Sequence, residues 1–231
     1  MNCGSPFRLA TTVAAAGIVL AAAVCISADR PAVPAPLPAP VKRGKMSLEA
    51  ALAKRRSVRK FADRPLSRRQ VAQLCWAAQG VNDPQKGLRT CPSAGALYPL
   101  ELYVVTRDGV ERYVPARHAM AKHLAGDLRG KLQAAALRQS AVGGAPATFV
   151  IAAVVSRTSK KYGRRAQRYV LLEAGHAAQN LLLQATALGL GGVPIGAFDD
   201  QRVRQVLSLP ADASPQYVVP IGVPAKGSEG P

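Results

Sequence analysis

From Arg164 to Leu188 the sequence reads as one long helix whose apolar residues do not keep to one side. It would run ~37 Å at 1.5 Å per residue. Leu171, Leu172, Ala174, Gly175, Ala178, Leu181, Leu182, Leu183 and Ala185 point in several directions around its axis. A helix of this kind is stable only when covered on most sides, so it belongs at the centre of the molecule or in a subunit interface. Gly175 marks a place where a second helix can come close. His176 and Asn180 share a face one turn apart, which suits hydrogen bonding in a core or interface better than catalysis. A second constraint is the almost unbroken apolar run from Ala147 to Val155. It lacks the alternation of a half-exposed strand and reads as a strand covered on both faces, central in its sheet.

The remaining elements follow from caps, turns and periodicity. Ser47 caps a helix reaching Lys54. Ser67 caps another, with Val71, Leu74, Cys75 and Ala78 inward and Gly80 at its end. Asn82–Gly87 is a turn, and Leu102–Val105 is a strand that returns through Arg107–Val110 into Glu111–Val114. Helical sequence is expected from about His118 to Ser140, with His118 and His123 on its surface. Gly189–Gly196 turns into a strand, Asp199 starts a helix carrying Val203, Val206 and Leu207, and Gln216–Gly222 is the last strand.

Composition narrows the class. Arg8 is the only charge before an apolar run from Val13 to Ile26, so residues 1–28 are expected to be an export signal. Cleaved, it would release the protein outside the cytoplasm, periplasmic in a bacterium; uncleaved, it would tether it to the membrane. Residues 29–41 are rich in Pro and Ala, which predicts an extended linker and a folded domain over 42–231. The formal charge is +18, carried partly in short patches such as Lys54-Arg55-Arg56 and Arg164-Arg165. Such a charge fits nucleic acid, an anionic membrane surface or an anionic ligand. Aromatic residues are only 5% and no nucleic-acid motif is present, so no nucleic-acid partner is expected. The four cysteines contain no CxxC pair and the histidines lack ligand spacing, so no metal is expected either. A Cys75–Cys91 disulfide is left open.

Three stretches carry chemistry. Arg55-Arg56-Ser57-Val58-Arg59 sets three guanidiniums and a hydroxyl directly after the first helix. Guanidinium forks hold phosphate oxygens in pairs. The plainer reading is a solvated basic helix end, where cations are favourable in any case. Cys91-Pro92-Ser93-Ala94-Gly95-Ala96-Leu97-Tyr98-Pro99 is a loop of small residues between two prolines. A flat ligand can lie against such a backbone; the plainer reading is a surface turn before an edge strand. Lys161-Tyr162, just before the long helix, is the third.

Together these stretches resemble the FMN-dependent nitroreductase family, most closely its SagB-type dehydrogenase branch, from about Ser47 to Pro224. The carriers are Arg55–Arg59, Pro92–Pro99, Glu173-Ala174-Gly175-His176-Ala177-Ala178-Gln179-Asn180, Gly189–Gly196 and Val219-Pro220-Ile221-Gly222, in family order. The resemblance implies an α+β fold, a nitroreductase-like sandwich with a central and mostly antiparallel sheet flanked by helices, assembled as an intertwined homodimer with two FMN sites at the interface. It implies that Arg55 and Ser57 hold the FMN phosphate, with Arg56 beside them at a variable position. Arg59 would reach the N1/O2 edge of the ring. Pro92, Ser93, Ala94, Gly95, Ala96 and Leu97 would come from the partner chain and line the flavin. Pro194, Ile195 and Gly196 would lie beside the flavin, with the backbone N–H groups of Ile195 and Gly196 near N5, and Lys226 would add a second phosphate cation.

Well-studied nitroreductases carry Asn where this chain has Ala96, which turns the expectation from nitroaromatic reduction towards the SagB-like branch. Peptide azoline dehydrogenases of that branch use a Lys-Tyr pair, which Lys161 and Tyr162 match as candidate catalytic residues. Removing a hydride from a C–H bond needs a base for the companion proton. A desolvated lysine near other cations can lose its proton near neutrality, and tyrosine can relay it. The plainer reading is a basic loop with an anchoring tyrosine. The implied activity is hydride transfer to or from flavin N5 by a ping-pong mechanism. NADH or NADPH is the candidate donor, and the substrate is a small molecule or peptide. The alternative is a non-catalytic flavin-binding or redox-sensing protein.

Overall fold

A computed structural model of the protein describes residues 33–227, together with Met1 and Asn2. Strands and helices are numbered along the chain. One sheet has the spatial order β1 (Ala35–Pro36), β6 (Ala119–Ala125), β5 (Gly109–Val114), β4 (Leu100–Thr106), β7 (Ala147–Val154), β9 (Ala213–Gly222) and β8 (Gly191–Gly192). Every neighbouring pair in it is antiparallel. β2 (Val81–Asp83) and β3 (Leu88–Arg89) form a separate hairpin.

β7 lies between β4 and β9 and is buried along its whole length, as its apolar run predicts. Its alternate residues serve two cores. Phe149, Ile151 and Ala153 pack with α2 (Arg68–Gln79) and α6 (Ala166–Ala187). Val150, Ala152 and Val154 pack on the other side with α3 (Arg129–Ala135), α4 (Ser140–Gly144) and α7 (Asp200–Val206). The result is an α+β sandwich with helices on both faces of an antiparallel sheet. The helix from Ser47 is α1 (Leu48–Lys54), and α5 (Val155–Tyr162) leads from β7 towards α6.

α6 is covered on one side only. Val170, Ala174, Ala177, Leu181 and Ala185 are buried against the sheet and α2, whereas Leu171 and Leu172 are 54% and 52% exposed. A Cβ placed on Gly175 would meet nothing within 4 Å. His176 is exposed and Asn180 Nδ2 donates to Thr90 O, so the two do not act as a pair.

Several expectations are corrected. The stretch from His118 to Ser140 is not one helix: β6 comes first and pairs with β5, for example Met120 with Tyr113. Ala, Met, Lys and Leu favour a helix locally, but the unpaired edge of β5 recruits them into the sheet, as tertiary pairing often does. The histidines are tied in rather than free on the surface. His118 Nε2 donates to Pro38 O and its Nδ1 bonds Tyr113 Oη, while His123 Nε2 donates to Leu207 O. The Pro/Ala stretch is not only a linker. β1 pairs with β6, Leu37 is buried, and Gln73 bonds both the N–H and the C=O of Val41. The folded part therefore begins before Lys42. Extended proline-rich backbone suits an edge strand, where a missing N–H can face away from the sheet. Cys75 and Cys91 are both buried and free.

The export signal expected over residues 1–28 is also withdrawn. No described helix is long and apolar enough to cross a membrane, and nothing in the comparisons below supports a signal. Residues 3–32 lie outside the described part.

Candidate active site

The arginine stretch leaves α1 and is clamped at the edge of the sheet. Ser57 bridges Gly192 in parallel, and Val58 N donates to Gly192 O. Further on, Ala62 N donates to Val223 O, Phe61 bridges Pro224, and Ala225 N donates to Lys60 O. Lys226 therefore follows directly on a residue tied to this stretch. Gly191 is required here: a Cβ on it would lie 2.5 Å from Val58 Cγ2 and push the stretch away. No salt bridge among the described residues involves Arg55 or Arg59. Arg56 behaves differently, because its guanidinium turns back onto Ala53 O and Arg55 O and closes the end of α1. The stretch thus offers two open guanidiniums, a hydroxyl and a nearby lysine on a fixed backbone, a donor set suited to phosphate.

Ile195 corrects another expectation. Its N–H donates to Val218 O at 2.9 Å, so it is already used in the sheet. The Gly196 amide enters no such bond, and Gly196 is exposed.

The small-residue loop is tight and strained. Ala94–Ala96 forms one 3-10 turn, and Gly95, Ala96 and Tyr98 have φ of 63°, 54° and 47°. Gly adopts such angles freely, whereas other residues resist them. Gly95 and Ala96 are exposed. A Cβ on Gly95 would lie 2.9 Å from Tyr162 Oη and 3.1 Å from Lys161 Nζ. The predicted pair, carried at the end of α5, therefore closes onto the predicted loop within one chain. Lys161 Nζ also sits 5.6 Å from the centre of the Tyr162 ring. Arg157, on the same helix, donates to Tyr98 O and pairs with Glu101. The desolvated lysine that the sequence leads one to expect is not present in the single chain: Lys161 is exposed and Tyr162 half-buried.

These two groups lie at opposite ends of β7. The small-residue loop runs into β4 at Pro99, whose carbonyl accepts Val154 N, and Leu100 pairs with Ala153. The arginine stretch adjoins Gly192, which pairs with Ile221, which in turn pairs with Ala147. From Ala147 to Val154 is seven steps of ~3.3 Å, or about 23 Å. A cavity of about 1030 Å³ lies elsewhere, between residues 41–48, α2 and α6, with Trp76 and Leu183 in its wall. None of the predicted site residues lines it.

Comparison with known proteins identifies the fold. The profile of the Nitroreductase family matches residues 52–223. The chain belongs to the nitroreductase family. A nitroreductase-designated protein of Methanocaldococcus jannaschii is 44% identical over 183 residues, 77% of this chain and 91% of that protein. The crystal structure of a nitroreductase from Ralstonia eutropha superposes with a TM-score of 0.75 at 30% identity, covering 84% of this chain and 95% of that one. The NADPH:FMN oxidoreductase of Vibrio harveyi shares the fold, with a TM-score of 0.60 at 21% identity over 80% of this chain and 72% of its own. This nitroreductase-family member is thus an oxidoreductase by family.

Sequence reasoning missed the residues behind the loop. Glu173 is 3% exposed, and burial pushes its carboxyl up to about 7. Its place was legible: Val170, Glu173, Ala174 and Ala177 form one i, i+3, i+4, i+7 stripe, so the acid sits in an apolar face. Arg89 stacks 4.5 Å from the Tyr98 ring centre, a contact that only the tertiary fold creates.

Proposed function

We propose that this nitroreductase-family protein is an FMN-dependent oxidoreductase of the SagB-type dehydrogenase kind, working by a ping-pong cycle as an intertwined homodimer. The observation that carries the reading is the separation of the two groups along β7. A phosphate-binding stretch and a flat, exposed loop lie further apart than a flavin mononucleotide reaches from phosphate to ring. One flavin can meet both only when two chains each supply one group. The half-covered α6, with Leu171, Leu172 and the open Gly175, offers a surface for the second chain.

The residues fit FMN. Arg55, Ser57 and Lys226 would bind the phosphate, and Arg59 would place positive charge beside the ring. Gly95 and Ala96 carry nothing larger than a methyl, so a planar ring system can lie on them. Bound FMN would supply hydride acceptance and donation at N5. Lys161 then takes the companion proton when a substrate C–H bond is oxidised, and Tyr162 orients it or relays the proton. Covering by the partner and substrate would provide the desolvation that Lys161 lacks in the single chain. A nicotinamide dinucleotide is the proposed donor, in keeping with the NADPH:FMN oxidoreductase of the same fold.

The test is an absorbance spectrum of the purified protein after addition of FMN, then anaerobic titration with NADH and NADPH. The reading expects a yellow dimer whose flavin band bleaches and returns with an acceptor. A colourless monomer in excess FMN sinks it. A yellow protein that never turns over is a flavin-binding or sensing protein instead.

A further inference from the structure

Tyr98 closes the small-residue loop with φ at 47°. A tyrosine keeps such an angle only where its surroundings over-determine it. Its other ties are local. Its N–H donates to Ser93 Oγ at 2.9 Å, its Oη accepts Arg89 N at 3.1 Å, and Arg89 stacks on its ring. One tie comes from a different element: Arg157 Nη1, on α5, donates to Tyr98 O at 3.2 Å. Among the described residues it is the one side-chain hydrogen bond from α5 to the loop. The same guanidinium donates through Nη2 to Glu101 Oε1 on β4. Glu101 is braced from the other side, where its Oε2 accepts Arg112 Nη1 at 3.0 Å, and its side chain is only 13% exposed. The N-terminus of α5 has no side-chain cap of its own. Lys161 follows Arg157 by four residues, one turn along the same face of α5.

We propose that Arg157 is a positioning residue: braced by Glu101, its guanidinium fixes the spacing between the flavin-facing loop and the turn of α5 that carries Lys161 and Tyr162. The inference rests on the proposed FMN reading and extends it to a residue outside the site. A fork suits this task. Its two arms reach a loop carbonyl and a strand carboxylate at once, whereas the ammonium of a lysine is a point charge on a flexible stem. Arg112 supplies the contrast. It shares Glu101 and the same 42% side-chain exposure, but its hydrogen bond goes to Glu101 and not to the loop.

The experiment compares wild type, Arg157→Ala, Arg157→Lys and Arg112→Ala. It measures FMN and riboflavin affinity by flavin fluorescence, and amide hydrogen exchange of residues 93–98 and 155–163 without flavin. Arg157→Ala should weaken both flavins alike, because the loop meets the ring and not the phosphate. The expected loss is about 5- to 10-fold, the low end for a hydrogen bond to a charged group, since Arg157 is half exposed. Both segments should exchange about 10-fold faster, while β7 keeps its protection. Arg157→Lys should behave like Arg157→Ala, and Arg112→Ala like wild type, in both measurements. If Arg157→Ala fails to fold, Arg157→Lys carries the comparison. Arg157 variants that bind and exchange like wild type overturn the clamp. An equal loss in Arg112→Ala also overturns it, because the Glu101 ion pairs would then act through general stability. Full rescue by Arg157→Lys overturns it too, because charge alone would then suffice. Wild type that takes up no flavin overturns the function reading, and the positioning role with it.

Discussion

At the scale of single residues, the meeting of Lys161 and Tyr162 with Gly95 is the sharpest feature of the site. Among the described residues no salt bridge pairs the Lys161 charge with a carboxylate. With no carboxylate partner holding its charge, Lys161 can shed its proton once the partner chain and substrate desolvate it, and then act as a base towards what lies on the loop. Lys161→Ala and Tyr162→Phe should leave FMN binding and the dimer intact, since the phosphate stretch lies at the other end of β7. Reduction of FMN by a C–H substrate should slow by about 10²–10⁴-fold, the range for a lost general base. Reduction by NADH or NADPH needs no such base and should survive. Stopped-flow bleaching of the flavin with each donor reads both outcomes. Unchanged substrate rates would return the pair to an anchoring role, and equal loss with both donors would mean a displaced loop.

At the scale of elements, the first strand shows how a weak segment completes a sheet. β1 is two residues long, yet it covers the outer edge of β6 and brings Leu37 to 9% exposure. Burying one leucine side chain contributes about 1.5–3 kcal/mol, a noticeable share of a typical domain's net stability. A chain starting at Lys42 should therefore melt several degrees below one starting at Val33, and its bare β6 edge should promote aggregation. Thermal unfolding of the two chains followed by circular dichroism is the check. Equal midpoints would show that the segment only rests on the sheet.

At the scale of the whole molecule, the two halves of the site predict complementation between chains. A chain with Arg55→Ala and Arg59→Ala lacks the phosphate stretch. A chain with Gly95→Val has a blocked loop, since the new Cβ meets Tyr162 Oη and Lys161 Nζ at a positive φ. Neither homodimer should hold FMN. Co-expressed at random, half the dimers are mixed and each has one intact site, so about a quarter of the wild-type flavin should return. No recovery in mixed dimers would place both groups of residues in one chain's site, or in different sites.

Much of this was legible from the residues. The central strand follows from Ala147–Val154, whose apolar side chains on both faces leave no other place for it. The caps at Ser47 and Ser67 and the strand from Leu102 are local matters, settled by hydrogen bonds a few residues apart. The loop and the arginine stretch stood out because small residues and clustered guanidiniums have few structural uses. What the sequence could not decide depends on contacts far apart in the chain. β6 is a strand because β5 offers it an edge, against its own helical preference. Ile195 is spent on Val218, and Arg56 on its own helix end, because neighbours reach them first. Glu173 meets Cys91, 82 positions away in sequence, because α6 folds back across the sheet. Most decisive, the distance between the two halves of the site is the length of β7, which exists only once the sheet has formed.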